Sequence, residues 1–189
     1  AADFSAGAAP DVMLLNYRRF ASFAGQGGLE PVGDYLAGST QIQEDDFYPQ
    51  TIDAFRFEDK LWCIPQNMSS LVVYYNRDLF DAAGLAYPAD DWTWQDFLVT
   101  AQKLTVDVDG DGRPEQYGAG IEPTLNRLAP FIWQAGGELV DDPDNPTRLA
   151  LDSPAAQTGM QWFTALQTVH GVVPDALAQS AESNESRFL

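Results

Sequence analysis

Apolar residues fall in short runs along this chain, and the runs switch between strand-like and helical spacing. Asp11 to Leu15 (DVMLL) follows Pro10 and predicts a buried strand entered from a turn. Residues 20–25 and 47–55 carry apolar spacing that predicts short helices, with Gly25 to Gly28 as a flexible turn after the first. Phe55 to Ile64 sets Glu58-Asp59 between two apolar arms, the pattern of a hairpin, and Pro65 ends it. Leu71 to Tyr75 predicts a second buried strand. It breaks abruptly into Asn76-Arg77-Asp78 and a small amphipathic helix that stops at Gly84.

Two longer helices carry explicit start signals. Thr93 reads as an N-cap with Asp96 three residues on, and Phe97, Ala101 and Leu104 follow at helical spacing. Ser153 reads as a second N-cap with Pro154 in the first helical position and Gly171 at the end. Between them Ala156, Met160, Phe163, Leu166 and Val169 share one face. A further apolar run, residues 128–133, ends at Gly136-Gly137, and residues 141–146 (DDPDNP) form a loop by composition. Strand-like runs interleaved with helices imply an α/β fold, and there is no internal repeat.

Charge narrows the partners. The 189 residues include 28 acidic and 10 basic side chains, a formal net charge of −18. Such a surface repels nucleic-acid phosphates and anionic lipid, so neither is an expected partner. The acids sit in short clusters such as Glu44-Asp45-Asp46 and Asp141-Asp142, which read as solvated surface. Cys63 stands alone in the apolar run Leu61-Trp62-Cys63-Ile64, which fits a buried structural thiol and leaves no intrachain disulfide. There is no apolar run of membrane-spanning length, so no direct membrane insertion is expected of this stretch. The chain starts inside a polar Ala-rich segment and stops at Ser186-Arg187-Phe188-Leu189 without a terminating signal, which reads as an internal fragment.

Three constellations could carry chemistry. In residues 107–115 (DVDGDGRPE) carboxylates stand at loop positions 1, 3 and 5 with Gly at 6, as in an EF-hand calcium loop. Asp107, Asp109, Asp111, the Arg113 carbonyl and Glu115 are the candidate metal ligands. Gly118 stands where that loop carries its bidentate Glu. The alternative is an acidic surface turn in which the glycines only permit tight backbone. The second constellation is aromatic. Tryptophan faces stack on the C–H faces of sugar rings, and Trp62 and Trp133 are the ligand candidates. Trp92, Trp94 and Trp162 read as packing residues beside or on helices. The third is the polar loops holding Asn16 to Arg19, Gln66 to Ser70, and Asn126-Arg127. Catalytic arrangements are poor: His170, the lone histidine, has neither a G-x-S-x-G serine nor an H-E-x-x-H partner.

The order of several segments carries a resemblance. Residues 65–81 (PQNMSSLVVYYNRDLFD), WTWQDFLVTAQKLT, DVDGDG followed by EQYG, and QAGGELVDD together resemble family 1 extracellular solute-binding proteins, the maltose-binding-protein-like capture subunits of bacterial ABC importers. The resemblance implies a periplasmic-binding-protein-like type II fold of two α/β lobes, only partly represented here, with residues 1–74 in the first lobe and 75–189 in the second. It implies a carbohydrate held between lobes that close on it, a permease partner, no enzymatic activity, and a periplasmic or extracellular protein anchored to the cell surface as a lipoprotein. It nominates Asn16, Tyr17, Ser69 and Asn126 as ligand contacts, beside Arg18, Arg19 and Arg127. In some members a loop at the place of 107–115 binds calcium, which implies a structural ion and no organic cofactor. Two readings stand beside it: a carbohydrate-active hydrolase, which needs a pair of carboxylates, and a calcium-stabilised binding module.

Overall fold

Asn16 opens the first helix. Its side chain accepts the Arg18 N–H at 3.1 Å, and α1 then runs Tyr17–Gly25 with Phe20 and Ala24 buried one turn apart. The structure, a computed structural model, describes residues 7–143 and 146–188. The chain divides into two compact units, Ala1–Val73 and Tyr74–Leu189.

In the first unit α2 (Gly33–Ala37), a 3-10 turn (Glu44–Asp46) and α3 (Pro49–Asp53) follow α1. Strands β1 (Arg56–Phe57) and β2 (Lys60–Leu61) pair antiparallel, Arg56 opposite Leu61. Glu58 and Asp59 between them both adopt positive φ, 49° and 59°, the two-residue turn whose twist matches a hairpin. The hairpin predicted over 55–64 is therefore present. Leu36, Ile52 and Leu61 form the core, with Val32, Phe47 and Phe55 packed against it. The Phe20 and Phe55 rings meet edge to face at 5.4 Å.

The second unit is helical. Asn76 caps α4 (Arg77–Ala82), and Gly84 turns the chain at φ +64°. Thr93 and Asp96 form a reciprocal capping box at the start of α5 (Trp94–Leu104). Helices α6 (Leu125–Gln134) and α7 (Pro154–Thr168) pack together, and short α8 (Ala176–Ala181) and α9 (Asn184–Phe188) complete the unit. Leu98, Ala101, Leu166, Val172 and Val173 make its core. The apolar run 128–133 lies within α6 although Pro130 sits inside that helix.

Three expectations are corrected. Residues 11–15 form no strand, and Val12 and Leu14 are 88% and 80% exposed. Residues 71–75 form none either, and Val72 and Tyr74 are 65% and 79% exposed. A strand needs a neighbour for its N–H and C=O groups. Among the described residues the β1–β2 hairpin is the one sheet, beside isolated bridges Val106–Gln116 and Val140–Leu149, and neither run pairs with any of them. Val169, expected on the buried face of α7, is instead exposed. Helical geometry stops at Thr168, Gly171 reverses the chain at φ +63°, and Val172 returns its N–H to the Leu166 carbonyl at 2.9 Å. Val172 thereby fills the position that spacing assigns to Val169, and is buried.

Among the described residues no helix is long and apolar enough to cross a membrane.

Candidate functional site

The acidic loop is organised by its own carboxylates. Asp107 accepts the N–H groups of Gly110 at 2.8 Å and Gly112 at 3.0 Å, one on each oxygen. Asp109 accepts the Asp111 N–H at 3.1 Å, and Glu115 reaches back to the Val108 N–H at 2.7 Å. Gly110 and Gly112 take φ of 75° and 83°, which no other residue type adopts as readily, and the Val106–Gln116 bridge closes the loop. One oxygen each from Asp107, Asp109 and Glu115 lies within 4.8 Å of the others, and all three residues are exposed. Asp111 falls outside this group, with its Oδ1 accepting the Arg113 N–H at 2.8 Å. An all-oxygen donor set suits a hard cation such as calcium.

The ligand candidates divide between the two units. In the first, Asn16 spends its side-chain oxygen on the α1 cap, a role signalled by an Asn standing before a helix. Tyr17 is half exposed, and the Arg18 guanidinium lies 5.8 Å from its ring centroid. Trp62 is partly buried and donates its indole N–H to the Phe57 carbonyl at 2.8 Å, which ties it to its own hairpin. Ser69 is exposed, in the segment that follows the hairpin. In the second unit Asn126 and Trp133 stand on α6. Seven residues apart on an α-helix, they share a face about 10 Å long. Asn126 is exposed and Trp133 is 53% exposed. Arg127 beside them pairs with Glu122 at 3.8 Å.

The remaining tryptophans pack. The rings of Trp94 and Trp162 lie 4.8 Å apart, Phe131 stacks on Trp162 at 5.1 Å, and Trp92 meets Phe97 at 5.7 Å. Trp94 also donates its indole N–H to Gln134 at the end of α6. This cluster joins α5, α6 and α7.

One residue is more than its sequence context suggests. Asp141, read as solvated surface, accepts from the N–H groups of Asp142, Thr147 and Arg148 and from the Thr147 hydroxyl. Those bonds, the Thr147 hydroxyl foremost, hold its carboxyl well below the usual carboxylate range. The signal is an aspartate before a turn, but Thr147 and Arg148 lie six and seven residues on. Cys63, expected as a buried thiol, is only half-buried, and that partial burial pushes its thiol upward.

The sequence pattern of the bacterial extracellular solute-binding proteins matches residues 1–187. The chain belongs to this family. A Brucella abortus protein named as a binding protein is 31% identical over 98% of this chain and 41% of its own length. The sn-glycerol-3-phosphate-binding periplasmic protein of Escherichia coli K12 is 33% identical over 54% of this chain and 24% of its own. The ABC substrate-binding protein of Listeria monocytogenes solved in complex with cycloalternan superposes with a TM-score of 0.77 at 27% identity, over 97% of this chain and 46% of that one. A solute-binding protein of Thermotoga lettingae, bound with α-D-tagatose, shares the fold at a TM-score of 0.72 and 24% identity, over 93% of this chain and 44% of that one. The fold class is thus the α/β, two-lobed type II periplasmic-binding-protein fold, partly represented here. This chain spans less than half the length of the Brucella and Listeria relatives.

Proposed function

We propose that the protein captures a carbohydrate outside the cytoplasmic membrane and delivers it to the permease of a bacterial ABC importer. The observation that carries this reading is the likeness, over 97% of the chain, to the Listeria ABC substrate-binding protein solved in complex with cycloalternan. In this reading ligand touches both lobes only when they close, so binding favours the closed form by its differential affinity for the two states. No bond is made or broken, and the protein is a carrier. Trp133 offers an exposed aromatic face for a sugar ring, with Asn126 two helical turns away on the same face as a hydrogen-bonding partner. Asn16, Tyr17, Trp62 and Ser69 are the contacts proposed from the first unit. A lipid anchor on the outer face of the membrane belongs to the same proposal.

A structural calcium ion in the 107–115 loop is the second part of the reading. It is supported by the gathering of oxygens from Asp107, Asp109 and Glu115 within 4.8 Å. Asp111 and the Arg113 carbonyl are further proposed donors. Calcium would supply positive charge where carboxylates crowd, and would brace the loop without touching sugar.

The test is ligand-induced thermal stabilisation of the complete gene product across mono- and oligosaccharides, with sn-glycerol 3-phosphate as a separate arm because one relative carries that name. A saturable rise in Tm with a sugar, and recovery of that sugar unchanged, is the expected result. Stabilisation by the phosphate ester alone would replace carbohydrate with a phosphorylated polyol. Cleaved sugar would return the protein to the hydrolases.

A further inference from the structure

We draw no further inference here: the strongest candidate, the exposed apolar run of Leu71, Val72 and Val73 within a segment (residues 63–75) that makes no backbone–backbone hydrogen bond among the described residues, carries nothing, because nothing in the structure shows what covers it.

Discussion

Gly159 of α7 lies directly against the backbone of Phe131 in α6: a Cβ at position 159 would stand 2.5 Å from the Phe131 carbonyl oxygen and 2.8 Å from the Ile132 Cα. Both obstacles are backbone, so no rotamer change relieves them. The absent side chain is what lets the two helices approach and seals Ile132 and Ala156 from solvent.

Gly159→Ala is therefore expected to destabilise the protein, although alanine is the better helix former by about 1 kcal/mol. Overpacking costs about 1–3 kcal/mol or more and should exceed that gain. Urea denaturation measures the balance. An unchanged or raised midpoint would show that α6 and α7 do not approach this closely.

The capping box makes a pH-dependent contribution. The Thr93 hydroxyl, then the Thr93 N–H, hold the Asp96 carboxyl below its usual value. A folded-state pKa lowered in this way gives stability that is present above the unfolded pKa of about 3.9 and is lost as pH falls through the folded value. Thr93→Ala should lower stability near neutral pH by about 1 kcal/mol. It should also move the Asp96 titration, followed by NMR, up toward the ordinary carboxylate value. A titration that does not move would break the link between the two residues.

Asp141→Asn removes a charge that four donors converge on. Amide exchange at Thr147 and Arg148 should accelerate severalfold, while the core amides of α7 stay protected. The wild-type contribution follows the same sign as at Asp96, persisting to lower pH because the Asp141 carboxyl is shifted further down. Equal exchange in variant and wild type would make Asp141 an ordinary surface acid after all.

Calcium titration tests the 107–115 loop. Calorimetry should detect one ion at millimolar concentration or tighter, with a rise in Tm that Asp107→Asn or Glu115→Gln removes. The effect on sugar affinity should be small. No heat at millimolar calcium, with no change in Tm, eliminates the ion and leaves an acidic turn.

The tryptophans separate by role. Trp133→Ala should weaken sugar binding by about 1–3 kcal/mol, as truncation of an aromatic anchor does, and leave Tm nearly unchanged because the ring is 53% exposed. Trp162→Ala should cost stability of up to about 3–5 kcal/mol, the range for truncating a core aromatic, since its ring packs against both Trp94 and Phe131. Trp62→Ala, at a proposed sugar contact, should weaken binding and also lower Tm through the lost bond to the Phe57 carbonyl. Unaltered binding by Trp133→Ala would take that residue out of the ligand site.

Where an element depends on partners a few residues away, the sequence determined it. The Thr93–Asp96 box, the Ser153 cap, the Glu58-Asp59 turn and the Gly84 stop are all satisfied locally, so their residue types announce them. The Asp-Gly loop is similar, and the gathering of Asp107, Asp109 and Glu115 follows from short-range bonds to loop N–H groups. Only the tertiary structure decided the rest. Residues 11–15 and 71–75 have strand-like composition, but a strand exists only where another edge offers hydrogen bonds, and composition does not report whether one is present. Val169 continues the helical spacing of α7, yet Gly171 folds Val172 back into its place, and that exchange is set by packing against Leu98 and Ala101. Sequence context already marks Trp94 and Trp162 as packing residues and Trp133 as a candidate for contact with ligand, but it does not name the rings they meet. Which stacks inside and which meets solvent depends on the approach of α5, α6 and α7, and Gly159 helps to set that approach through a contact with a backbone 28 residues away.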